Sequence, residues 1–147
     1  MLYQKALELA KGGLKPLDIA AFLGIEVLFL PFKAIEGIAL SLGSHKFIQI
    51  NNALTEIEQQ FVCGYELAHL LLQQSESNVD SMQAQNCSYI KQQFQDNPVA
   101  GQMLLGEEAK IYHVQIKEAA ASDSLKEMAE FVSTIAPEES KVYGKDG

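Results

Sequence analysis

The stretch Thr55-Glu56-Ile57-Glu58-Gln59-Gln60-Phe61-Val62-Cys63-Gly64-Tyr65-Glu66-Leu67-Ala68-His69-Leu70-Leu71 decides how the rest of the chain is read. It opens with a capping box, in which the Thr55 hydroxyl can accept the Glu58 amide and the Glu58 carboxylate can accept the Thr55 amide. Ile57, Phe61, Val62, Tyr65, Ala68, Leu71 and Leu72 then recur at helical spacing and form a wide apolar stripe. The pattern predicts a central helix of about five turns, from Thr55 to about Gln73.

Upstream of it, Leu2 to Lys11 reads as a short helix with Leu2, Ala6, Leu9 and Ala10 on one face, stopped by Gly12-Gly13. Pro16 suits the first turn of a second helix, which ends at Gly24. Asp18 to Ile25 resembles the first half of a helix-turn-helix, but strand-like sequence follows it, so it is read as a packing helix. Glu26–Leu30, Gly37–Leu42 and Lys46–Ile50 are strand candidates, and Gly43-Ser44 offers a tight turn between the last two. A small antiparallel meander is expected.

Downstream, Ser75-Glu76-Ser77-Asn78 breaks the central helix. A polar helix is expected from about Asp80 to Gln95, closed by Asn97-Pro98. Two more are expected at Glu107 to Ala121 and Ser124 to Ile135, separated by Ser122-Asp123, with a frayed tail from Pro137. The fold class is α+β, with all 147 residues in one domain.

Charge narrows the function classes. A net charge of −8 repels phosphate backbones, and no Lys/Arg cluster offsets it, so no nucleic-acid partner is expected. The most apolar run, Ile19 to Phe32, contains Glu26 and Pro31 and is too short to span a bilayer, so no membrane association is expected either. Cys63 lies in the central helix, and two cysteines make no disulfide framework. These features, with no visible targeting segment, lead to the expectation of a cytoplasmic protein.

The chemistry-bearing part of the central helix is Tyr65-Glu66-Leu67-Ala68-His69. A zinc hydrolase places two imidazoles one turn apart so that both reach one metal. Beside the first sits a carboxylate that takes a proton from the metal-bound water. Here Glu66 and His69 hold the general-base and second-imidazole positions of that HExxH pattern, and Tyr65 stands where the first imidazole belongs. Tyr65 is read as a core aromatic with its hydroxyl bonded to His69 or Glu66. Glu66 and His69 are expected to face one cleft, lined on one side by the sheet. His45 and His113 are read as surface or structurally satisfied residues.

From about Leu14 to Leu72 the chain resembles the ImmA/IrrE family of metallopeptidases associated with phages and mobile elements. The resemblance rests on the helical N-terminus, the small sheet, the strand ending Phe47-Ile48-Gln49-Ile50-Asn51, the capped helix and the motif itself. Family members read close to I-x-I-N followed by H-E-L-G-H-x-L-L here. The resemblance implies a zincin-like fold and a peptidase that cleaves a repressor. It also implies a third metal ligand, an acidic residue on the next helix. Gln83, in Gln83-Ala84-Gln85-Asn86, is the nearest match to that position, and Asp80 is the other candidate.

Ligand chemistry then weighs against a metal. A phenol with an ordinary pKa of about 10 must lose a proton to bind zinc, and an amide oxygen is a poor zinc donor. The expected cofactor is therefore none, with zinc as the alternative. Three functions follow. The first is a catalytically degenerate peptidase-fold protein of a phage or mobile element that binds a protein regulator such as a transcriptional repressor. The second is an active zinc peptidase with an unusual ligand set of Tyr65, His69 and Gln83 or Asp80. The third is an interaction or structural protein of open role.

Overall fold

The computed structural model describes residues 2–72, 77–83, 109–119, 121–123 and 125–133. Two short helices, α1 (Leu2–Lys11) and α2 (Pro16–Phe22), precede the strands β1 (Glu26–Leu30), β2 (Ile35–Leu42) and β3 (His45–Asn51). The central helix α3 (Glu56–Leu72), the strand β4 (Ser77–Gln83) and the helix α4 (Ala109–Glu118) follow. A last helix, α5, runs through residues 125–133. The α+β class and the first six elements agree with the sequence pattern. The expected tail from Pro137, and the expected polar helix beyond Gln83, fall outside the described residues.

The capping box forms as its sequence requires. Thr55 Oγ1 accepts the Glu58 amide at 3.3 Å, and Glu58 Oε1 accepts the Thr55 amide at 2.6 Å. The α2 N-terminus has no side-chain cap of its own, and α3 supplies one: the Leu17 amide donates to Gln60 Oε1 at 3.0 Å.

The sheet is not a meander. Its strand order is β1-β3-β2-β4, with β1 parallel to β3 and β2 antiparallel to both β3 and β4. β2 and β3 do form the expected hairpin, Leu42 pairing with His45 across a turn in which Gly43 adopts φ 62°. β1, however, leaves a gap one strand wide beside β2, and β3 fills it. Residues 31–34 reach across that gap because two strand spacings are only about 9.6 Å. Pro31, at the exit of β1, has no N–H to offer a neighbouring strand.

The second correction concerns Ser77–Gln83, a strand where the sequence pattern predicts a break at Ser77-Asn78 and a helix from about Asp80. Ser77-Asn78-Val79-Asp80-Ser81-Met82-Gln83 has weak strand propensity, but edge strands carry polar residues readily and are held by backbone pairing. Here that pairing is with β2, from Leu42↔Ser77 to Ile35↔Gln83.

The helix α3 is the centre of the core. From Glu58 to Leu70 every residue but Gln59 is buried, as befits a helix covered all round. It packs on β2 and β3 through Ala39, Ile48 and Ile50, while Ala6, Ile19 and Ala20 of α1 and α2 join the same core. Tyr112 and Ile116 of α4, with Leu125, Met128, Ala129 and Val132 of α5, complete it. Among the described residues no helix is long and apolar enough to cross a membrane.

Candidate functional site

The motif lies on the buried length of α3. Tyr65 and Glu66 are fully buried, and His69 is 8% exposed. Tyr65 and His69, one turn apart, meet as rings: their centroids stand 4.6 Å apart with the planes at 60°, an edge-on contact. Tyr65 is thus a core aromatic whose ring edge meets His69.

Glu66 faces the sheet. A Cβ built on Gly37 of β2 would stand 3.5 Å from Glu66 Cγ, so the glycine leaves the carboxylate side chain its place against the strand. Neither Glu66 nor His69 points to bulk solvent. One turn before Glu66 lies Cys63, a free and fully buried thiol. Burial above all, and then the charge of Glu66, push that thiol well above its ordinary pKa and keep it protonated.

Asp80 and Gln83, the two candidates for a third ligand, lie on β4 beside Ala39 and Ile35 and not on a helix. Both therefore sit on the strand next to the one that Glu66 packs against. His45 begins β3 and is exposed, stacking on Phe47 with centroids 6.1 Å apart. His113 Nε2 of α4 stands 3.7 Å from Glu130 Oε2 of α5. Among the described residues no group of three His, Cys, Asp or Glu gathers where it could hold a metal ion.

The sequence reading missed Glu36, a carboxylate 8% exposed between two apolar residues and a glycine. Ser122 Oγ donates to its Oε2 at 3.2 Å. Burial pushes its pKa up from the ordinary carboxylate value, and the charge of Glu58 adds to this, while hydrogen bonds from Ser122 and Asn51 oppose it. A charged residue inside an apolar strand was the visible signal. What gives it a partner is a contact 86 positions away in the sequence.

Residues 20–124 match the model of the IrrE N-terminal-like domain, peptidase family M78, which is over two thirds of the chain. No curated protein and no solved structure matches it. A match of this extent, over a fold whose motif helix packs on a small mixed sheet, places the chain in the IrrE N-terminal-like family as a peptidase-fold protein.

Proposed function

We propose that this chain has given up hydrolysis and acts by binding a protein regulator of a phage or other mobile element, such as a transcriptional repressor. One observation carries the reading: the position of the first imidazole is filled by the fully buried Tyr65, its ring edge-on to His69. A zinc site of this type needs three good donors around one point. The motif on α3 offers one imidazole and one carboxylate, and a phenol that must lose a proton of pKa about 10 before it can serve. These residues do not fit a zinc ion. Without an activated water, Glu66 has no proton to take, and its burial against β2 becomes a matter of packing and hydrogen bonding.

The kept Glu66–His69 pair favours a second reading, an active zinc peptidase with an unusual ligand set. Metal analysis by mass spectrometry on dialysed protein separates the two. The first expects well under one zinc per chain, and one firmly held zinc overturns it in favour of the second. A pulldown with repressors encoded beside this chain's gene tests the binding role. Capture of such a repressor, uncleaved, is expected, and capture of none removes the proposed partner class.

A further inference from the structure

We infer that β1 is a dimerisation edge, on which a second copy of this chain pairs antiparallel about a two-fold axis at Leu28. β1 ends the sheet, and among the described strands it pairs with β3 alone. The Asn52 amide donates to Leu30 O at 2.8 Å, so Leu30 turns its backbone groups toward β3. These groups alternate sides along a paired strand, so Glu26 and Leu28 turn theirs the same way. Val27 and Phe29 turn their N–H and C=O groups outward, and among the described residues nothing bonds them there.

This open stretch is closed at both ends. Before it, the Ile25 amide donates to Ala20 O of α2 at 2.9 Å. After it, Pro31 has no N–H to give. The side chains between are apolar and uncovered, Leu28 being 39% and Phe29 43% exposed. Exposed apolar side chains beside unpaired backbone make a template for one more strand.

The register singles out a second copy as that strand. Antiparallel pairing centred on Leu28 puts Val27 opposite Phe29 of the second copy, and Phe29 opposite its Val27. Both are hydrogen-bonded pairs, so every outward group on the two edges finds a partner. Centred one residue earlier, Phe29 would face Ile25, whose N–H is already taken. Centred one residue later, Val27 would face Pro31, which has none. Leu28 then meets Leu28 of the second copy as a non-hydrogen-bonded pair, the closer kind.

Charge fits the same register. Glu26, the one charged residue of β1, comes to stand opposite Leu30 of the second copy. The two Glu26 side chains lie four residues out of line, about 13 Å along the strand, beyond the screening length of about 10 Å at 0.1 M salt. A basic peptide, which the net charge of −8 would attract, finds only that acid on the edge. The contact is isologous, so it uses the β1 edge of both copies and stops at two. Five residues a side are few beside the about 20–30 of a standard interface, so the dimer is weak and depends on concentration.

The test is sedimentation velocity on the full chain from about 1 μM to about 1 mM, the range of weak association. Wild type should pass from the 16.2 kDa monomer toward twice that mass as concentration rises. Leu28→Lys and Leu28→Glu each set like charges opposite one another and should stay monomeric over the same range. Because Leu28 is 39% exposed, the monomer carries either charge at its surface. Mixed in equal amounts, the two variants should dimerise again, since opposite charges then meet across the axis. A wild type that is monomeric at every concentration overturns the proposal and leaves the edge to an extended segment of another protein. A dimer that persists in both single variants, or a mixture that stays monomeric, overturns it as well. The wild-type arm decides even if a variant fails to fold.

Discussion

Gly37 lies so close beneath α3 that a Cβ on it would stand 2.5 Å from Val62 Cγ1. Val62 is fully buried and β-branched, so it has few rotamers to retreat into, and Gln49 O closes the other side at 3.4 Å. Gly37→Ala should therefore destabilise the protein by about 1–3 kcal/mol, read as a lower denaturation midpoint in urea. Adding Val62→Ala removes the obstructing methyl. The double variant should lose less than the sum of the singles, and strict additivity would show that the clash is relieved elsewhere.

Tyr65→His should open a weak zinc site. It places two imidazoles one turn apart on α3 at a cost of roughly a few kcal/mol, since imidazole is smaller than the buried phenol. Adding Gln83→Glu should tighten binding if β4 supplies the third donor. Calorimetric titration of wild type, single and double variants measures this. If the folded double binds no better than wild type, Asp80→Ala on the Tyr65→His background shows whether Asp80 is the partner instead.

The Cys63 thiol is held protonated by burial, so it should resist iodoacetamide at pH 8 in the native protein and react readily in urea. Peptide mass spectrometry should show Cys63 alkylated more slowly than a free thiol by roughly tenfold or more. Native-state labelling at the rate of a free thiol would mean that α3 opens locally far more often than its packing allows.

Thr55→Ala deletes the acceptor of the Glu58 amide and should cost about 1 kcal/mol, while Thr55→Ser, which keeps the hydroxyl, should stay near wild type. Thermal unfolding followed by circular dichroism distinguishes them. Equal losses would assign the effect to the Thr55 methyl instead of the cap.

Much of this structure was legible in local sequence. Apolar spacing and the capping box placed α3, and Gly43-Ser44 placed the β2–β3 turn. What escaped was pairing over distance. Val27 and Phe29 mark a strand, but nothing in them says that the neighbour is β3 rather than β2. Ser77–Gln83 is a strand only because β2 has an edge to fill, and its own residues argue otherwise. The same holds at the site. Tyr65, Glu66 and His69 were found because helical spacing alone brings them together, whereas Glu36 needed a serine 86 positions further along the chain.

The place of β3 between β1 and β2 constrains the order in which the chain can assemble. During synthesis β1 and β2 leave the ribosome before their shared partner exists, and among the described strands β1 pairs with β3 alone. The β2–β3 hairpin, closed by two residues, is the local event and forms within microseconds or so. β1 then has to dock along the outer side of β3 with its five residues in parallel register. Until that happens, the apolar sequence Val27-Leu28-Phe29-Leu30 remains an unpaired strand, the segment of the nascent chain most in need of protection from its neighbours.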